Sequence, residues 1–576
     1  MNQNNYWTRR VGRRGFLVGA GTAGVGAAGL ALVGCGSSSN NNSTNTPAGS
    51  ATAKGSSTAK PSGSASPGAS PTDIAQSLKN GIENLRQGNI FASMNPYKGL
   101  DSGALWGFTV FDHLWGTPRS TGQPQLMLAK SKEQPDPTHI TFTIPGDATF
   151  HDMPPVNGRV VKASDIKMSL ETAAKQTTIS QTAWWIQTFD HCEAPDDTTI
   201  TIVLKQPDAW TFSSVNGATA INSSIIPAEL LSNIDLMDNT VVGSGRYQYV
   251  SSDGHSTNFK LARNPKWRIK GQPWLAGLQY NLIQQQAAAD AAFTAGQIDA
   301  LATVNQLETQ QLQQQLGNKI QTITDQTTSI WTLVTRADGN FKDARVRQAI
   351  SEALVRKQFT DLMYQGAAIP SGPVPSAFKS YALSDADLKN TWNKEDVADA
   401  KAKLSAAGFD TTHQYELKYY TPGDAPASFA QIVQKQLQQN LGINIKLVGE
   451  DFGTWLANSL YGGNFDGFIS FPSIAYDDPE TYITQWSDPN AGRPNWAHFH
   501  DDDINALIAK QGQTLDDTQR QQQFIELQKT GWDKGVPYLD LVSPTSSTVY
   551  ASYLKNVPHG NGLWDLYTGT TYIDKS

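Results

Sequence analysis

The sequence predicts an α/β fold, and three stretches predict it. In the first, Leu417 and Tyr419 sit in an alternating run, Phe429, Ile432, Val433, Leu437 and Leu441 follow at helical spacing, and Ile443, Ile445 and Leu447 alternate again. Alternation marks a half-buried strand, and a three-to-four spacing marks one face of a helix. A strand–helix–strand unit implies parallel strands with the helix laid over them. Gly442 stands where that helix should end. In the second, Ile140, Phe142 and Ile144 alternate with threonines, and Thr199–Leu204 is rich in β-branched residues, as strands are. Between them, Ser164 is placed to cap a helix beginning near Asp165. In the third, Val346, Ile350 and Leu354 share a helix face, with Ala349 and Ala353 beside them.

Length and composition bound what such a fold can do. The chain has 576 residues, with 45 Lys and Arg against 52 Asp and Glu, for a formal net charge of −7. This length predicts more than one lobe. The acidic balance argues against a nucleic-acid partner, which needs a basic face to neutralise phosphates. Two cysteines exclude a disulfide framework and a multi-cysteine metal centre. Only residues 15–34 come near the length that spans a bilayer.

The first 71 residues read as an address and a tether. Arg9, Arg10, Arg13 and Arg14 precede an uncharged run, GFLVGAGTAGVGAAGLALVG, which ends at Cys35. A basic region, an apolar region and small residues before a processing point describe an export signal. Arg13-Arg14-Gly15-Phe16-Leu17 resembles a twin-arginine signal, and Leu32-Val33-Gly34-Cys35 resembles the bacterial lipobox. The second resemblance implies lipidation of Cys35 and cleavage before it. Removing residues 1–34 takes away four arginines and no acid, so the formal charge moves from −7 to −11. Gly19, Gly21 and Gly24 match G-x-G-x-x-G, but no strand precedes them, so no dinucleotide site follows. Residues 36–71 are Gly, Ser, Thr, Ala, Asn and Pro except for Lys54 and Lys60. Such a segment buries too little apolar surface to offset its ordering entropy. As a coil it spans roughly 30–36 Å.

Catalytic patterns are missing from the remainder. G-x-S-x-G, H-E-x-x-H, C-x-x-C and the phosphate-loop pattern do not occur. Cys192 beside His191 is a poor nucleophile pair, because adjacent residues face apart; it reads as a small core residue. His498, His500 and Asp501 are the most metal-like run, but Asp501–Asp503 read better as the start of a helix carrying Ile504, Leu507 and Ile508. Asp477 and Asp478 are adjacent, which is weak support for an acid–base pair. No catalytic residue, resident cofactor or structural metal is expected.

A run of ordered motifs points further. These are Ile140-Thr-Phe-Thr-Ile144, Phe150-His151-Asp152, Val161-Lys-Ala-Ser-Asp165, Gly243-Ser-Gly-Arg-Tyr247, Arg263-Asn-Pro-Lys-Trp267, Ala295-Gly-Gln-Ile-Asp299 and Phe341-Lys-Asp-Ala-Arg-Val-Arg-Gln-Ala349. Tyr364-Gln-Gly366 and Gly372-Pro-Val-Pro375 follow. From about Lys79 onward the chain resembles the bacterial extracellular solute-binding proteins of family 5. The resemblance implies a two-lobed periplasmic-binding-protein-like fold (type II) with an extra subdomain, its lobes joined by hinge strands. Lobe 1 is expected over 72–114, 225–327 and 544–576, the extra subdomain over 115–224 and lobe 2 over 328–543. Most of these motifs read as architectural: Gly245 suits a tight turn, and Arg345 and Arg347 hold a helix start.

The same resemblance implies a monomeric, lipid-anchored, extracytoplasmic component of an ABC importer. It would capture a solute between its lobes and deliver it to an ABC permease. A secreted hydrolase or an adhesin on a stalk is the alternative. Peptide-binding members hold the peptide amino terminus with an Asp four residues before a Pro. Here that position, before Pro479, is Ala475. Asp477 lies two residues away and projects differently. This leaves open a peptide, an oligosaccharide or a metal chelate. Aromatic residues that could line the pocket are Phe452, Trp455, Phe471 and Tyr476, with Trp331 on the strand entering lobe 2. Ser473 and Asp477 add polar groups.

Overall fold

The computed structural model describes residues 80–575 except 89–92, 99–104, 108, 117–124, 176–184, 186–187, 210, 213–222, 254–257, 304–305, 422–423, 472–477, 488–494 and 558–568. The expected signal, Cys35 and the tether lie outside the described residues.

In chain order the elements used below are β1 (Ile82–Gln87), β2 (Ser131–Asp136), β3 (His139–Thr143), α1 (Ala163–Lys175), β4 (Phe189–Glu193) and β5 (Thr199–Leu204). Next come β6 (Tyr247–Ser252), β7 (Phe259–Arg263), β8 (Gly277–Leu282), α2 (Gln286–Thr294), β9 (Ala300–Ala302), α3 (Gln306–Leu316) and β10 (Ile320–Gln326). The chain continues through β11 (Trp331–Thr335), α4 (Ala344–Glu352), α5 (Arg356–Tyr364), β12 (Ala368–Pro370) and α6 (Val397–Ala407). It ends with β13 (Gln414–Thr421), α7 (Asp424–Leu441), β14 (Asn444–Asp451), β15 (Gly467–Ser470), α8 (Asp502–Gln513), α9 (Asp517–Asp533) and β16 (Tyr538–Ala551).

Two four-stranded sheets form first, in the orders β1-β8-β7-β6 and β2-β3-β5-β4. In β3 the alternation read from the sequence is realised: Ile140 and Phe142 are buried and the flanking residues half-buried. Its neighbour β5 occupies the predicted residues, and Ile140 pairs with Ile202. Cys192 on β4 is fully buried and acts as core filler, with burial pushing its thiol pKa up. Helix α1 begins at Ala163, earlier than expected, so Ser164 is not its cap. Asp165 takes that part instead: its carboxylate reaches back to the Lys162 N–H at 3.0 Å. It also accepts two bonds from Arg159, at 2.8 and 2.7 Å. A charged acceptor serves the helix start and a salt bridge together.

Several of the sequence motifs prove to be joints that meet one another. His151 donates its backbone N–H to the Gly243 carbonyl at 2.8 Å, and its Nε2 lies 3.0 Å from the Gly245 carbonyl. Asn264 Nδ2 donates to the same Gly245 carbonyl at 2.9 Å. Gly245 is required by space, because a Cβ there would sit 2.6 Å from the Val110 carbonyl oxygen. Asp343 caps α4 by accepting from the Arg345 N–H at 2.8 Å. Arg347 is buried and donates to the carbonyls of Phe341, Lys342 and Gly535. Both arginines thus hold chain segments together, as the sequence suggests.

The eight-stranded sheet has the order β9-β16-β11-β15-β13-β14, with β10 and β12 also paired to β16. The β13–α7–β14 unit is as read from the sequence: β13 and β14 are parallel from Gln414↔Asn444 to Thr421↔Asp451. Gly442 ends α7 at φ +71, with the Ile443 N–H bonded back to the Leu437 carbonyl. This helix ending favours glycine because a Cβ is strained in the left-handed region. One face of the sheet carries Trp331, Leu333, Leu417, Ile469, Leu539 and Leu541 against α4, α5 and α7. The other carries Val334, Phe468 and Tyr538 against α8 and α9. No helix among the described residues is long and apolar enough to cross a membrane.

Candidate functional site

Strand β16 runs for 14 residues and belongs to two pairings in succession. Residues 538–542 pair with β11, and residues 545–551 pair with β10. Since β10 and β11 are separated only by residues 327–330, two antiparallel segments cross together from the β10 pairing to the β11 pairing. The crossing is held by short polar bonds. Gln326 Nε2 donates to Ser543 Oγ at 2.9 Å, Thr327 Oγ1 donates to the Pro544 carbonyl at 2.8 Å, and Ser543 Oγ donates to the Thr327 carbonyl at 3.0 Å.

An aromatic stack stands beside this crossing. Trp331, the first residue of β11, lies between Phe429, at 4.2 Å between ring centroids, and Phe471, at 4.5 Å. Its Nε1–H donates to Tyr364 Oη at 2.5 Å. Burial pushes the Tyr364 hydroxyl up to about 12, so it stays protonated. Trp331 is only 4% exposed, whereas Phe471 is half-buried. Indole-to-ring stacking and a satisfied N–H make this a rigid platform whose outer ring is Phe471.

The opposite face of the same strands holds a small pocket of mixed lining. Thr332, Ser470, Tyr482, Gln485, Tyr538 and Asp540 bring polar groups to it, and Val334, Pro373 and Trp486 bring apolar ones. Thr332 Oγ1 donates to Asp540 Oδ1 at 2.7 Å. Burial raises the Asp540 carboxyl to about 7, opposed by the Thr332 hydrogen bond and the charge of Arg356.

Of the residues expected to line a site, the structure brings Trp331 and Phe471 into contact. It sets Trp455 on the other face of the sheet, buried against Tyr420 and Phe468. Alternation along β11 and β15 separates them, and sequence proximity to Phe452 does not reveal it. The Phe452 side chain and Ser473, Tyr476 and Asp477 lie outside the described residues. Asp478 is drawn away from any acid–base pair: Arg520 grips it through two bonds of 2.9 and 2.8 Å. His498 bonds to Asp338, and Asp501 caps α8 through the Ile504 N–H at 3.1 Å. Among the described residues no three His, Cys, Asp or Glu side chains gather as a metal site. The sequence reasoning missed Phe429, Tyr364, Thr332, Ser470 and Asp540. Asp540 did leave a signal, as a lone acid inside the apolar run Tyr-Leu-Asp-Leu-Val of residues 538–542.

The sequence model for the middle part of the bacterial extracellular solute-binding proteins, family 5, matches residues 123–493. The chain belongs to this family. It is 22% identical over 482 residues to the periplasmic oligopeptide-binding protein OppA of Salmonella typhimurium, covering 79% of this chain and 85% of that protein. Among solved structures it resembles the periplasmic binding protein DppA of Helicobacter pylori in complex with the peptide STSA. The TM-score is 0.69 at 20% identity, covering 87% of this chain and 99% of that one. It also resembles the murein tripeptide binding protein MppA of Escherichia coli, with TM-score 0.67, 21% identity, and coverage of 86% and 99%. The fold is therefore the two-lobed periplasmic-binding-protein type, and the family is one of solute-binding proteins.

Proposed function

We propose that this chain is the solute-capturing component of an ABC importer and that its solute is a peptide. One observation carries the reading: the paired crossing of β10–β11 with β16, with a rigid aromatic platform beside it. A crossing of two hydrogen-bonded segments is a hinge about which lobes close on a ligand. The boundaries inferred from the resemblance, 327/328 and 543/544, fall on these two segments. On this reading lobe 1 is 72–114, 225–327 and 544–576, the subdomain is 115–224, and lobe 2 is 328–543. Phe471 presents its ring to the solute, Trp331 supports it from beneath, and Ser473, Tyr476 and Asp477, which follow in the sequence, add contacts. Phe452 and Trp455 sit at the end of β14. Relatives named for peptide binding support the ligand class. The resemblance of Leu32-Val33-Gly34-Cys35 to a lipobox supports tethering to the outer face of the cell membrane, and on this reading the protein is a monomer with the permease as partner. No chemical step is needed: binding shifts the population toward the closed form.

Thermal-shift titration against short peptides, oligosaccharides and metal chelates tests this. A matching peptide at one hundred times its Kd stabilises by about 2.7 kcal/mol. Stabilisation by another class alone removes the peptide assignment, and turnover of any of them removes the transport reading.

A further inference from the structure

The small pocket behind the aromatic platform buries a carboxylate that packing does not require. Asp540, Thr332 and Ser470 are 4%, 3% and 6% exposed. Among the described residues lining the pocket there is no Lys or Arg. Arg356 is buried close by, but its donors go to the Asp540 backbone carbonyl at 3.2 Å, to the Ser351 and Leu354 carbonyls and to Ser351 Oγ. None goes to the Asp540 carboxylate. A carboxylate taken out of water requires a proton or a cation. Around Asp540 the lining brings hydroxyl and amide oxygens from Thr332, Ser470, Tyr482, Gln485 and Tyr538, which accept from N–H donors, and the apolar Val334, Pro373 and Trp486 close the rest. The space takes a group about the size of one water molecule, which suits an ammonium head and excludes a quaternary ammonium.

We propose that this pocket binds a primary ammonium group, with the Asp540 carboxylate as counter-ion and Ser470 Oγ as a second acceptor. The ammonium is supplied by an amine of the captured solute or by a free ammonium ion. The solute form rests on the peptide reading above, and the free-ion form does not. Entry of the cation releases the Asp540 proton to solvent, so binding strengthens as pH rises from 6 to 8. Among the described residues, the other charged or titratable groups around Asp540 are Arg356 on α5, Tyr538 on its own strand and Tyr482 on the covering segment.

The test uses the full-length protein and its Asp540→Asn variant. Melting temperatures are measured in ammonium, methylammonium and tetramethylammonium chloride at equal ionic strength, at pH 6 and pH 8. Peptide affinities are then compared with free and acetylated amines. A free-ion site raises the melting temperature in ammonium over tetramethylammonium at pH 8, less at pH 6, and not in the variant. A solute site weakens binding at least about tenfold on acetylation, again only in the wild type. Equal melting in all three salts together with indifference to acetylation overturns the proposal and leaves the pocket to a buried water. In that case a peptide that still stabilises keeps the functional reading intact. If Asp540→Asn does not fold, Ser470→Ala and the wild-type pH dependence carry the test, and a pH-independent response unaffected by Ser470→Ala overturns it.

Discussion

Two groups of buried carboxylates in this molecule have the same burial and opposite fates. Asp478 and Glu480 are 6% and 1% exposed, and Arg520 from α9 lies between them, 2.8 Å from Asp478 and 3.4 Å from Glu480. Burial works against the Arg520 charge, yet the two acids hold its pKa above the ordinary value. Glu83 and Asp299 are 8% and 2% exposed, and the hydrogen-bond donors to Asp299 are neutral groups. Asn84 donates to Asp299 through its backbone N–H at 2.6 Å and its Nδ2 at 3.1 Å, and the Tyr553 hydroxyl donates as well. Burial first, and the nearby Asp299 second, raise the Glu83 carboxyl to about 8. Burial alone does not decide ionisation; the sign of the neighbour does.

The largest expected effect comes from removing the cation. Arg520→Ala leaves two carboxylates buried without their counter-charge and should cost about 3–5 kcal/mol in denaturant unfolding. A loss under about 1 kcal/mol would mean that water reaches the cluster.

Glu83 comes next. Its folded value lies above its ordinary 4.5, so its contribution is full below that pH and is lost as pH rises toward 8. Between those limits wild type should lose about 2–4 kcal/mol that Glu83→Gln does not lose. Parallel pH profiles for the two proteins would remove the assignment.

His151 supplies the opposite limb. Burial lowers it from 6.5 to about 4, against hydrogen bonding to the Gly245 carbonyl. Its contribution is present above pH 6.5 and is lost as pH falls toward 4, by roughly 2 kcal/mol. A flatter acid limb in His151→Gln, read by thermal melting, checks it. The smallest effect belongs to Asp501, which caps a helix and also pairs with Lys534 at 3.1 Å near the surface. Asp501→Ala removes the α8 cap and should cost about 1 kcal/mol at any neutral pH.

The contrast also explains what could be read from the chain. Periodicity is local, so β3, β5, α7 and β14 were legible to within a few residues. Gly442 marked a helix end for the same reason. The start of α1 was misread because Asp165, rather than Ser164, reaches back to the chain at Lys162. That choice depends on Arg159, which fixes the carboxylate from outside the helix. In the candidate site, Trp331 and Phe471 were legible as aromatics near strand ends. Their stacking was not, since Phe429 arrives from a helix nearly 100 residues after Trp331.

The order of motifs alone indicates the family and its two-lobed fold, because those motifs are turns and helix starts that neighbouring residues encode. Which face of β11 and β15 each side chain takes, and which acid meets a cation, depended on contacts across the sheet. Arg520 reaches Asp478 across 42 residues and Thr332 reaches Asp540 across 208. Such pairings set the charge of a buried group through its surroundings in space, which a linear pattern does not carry.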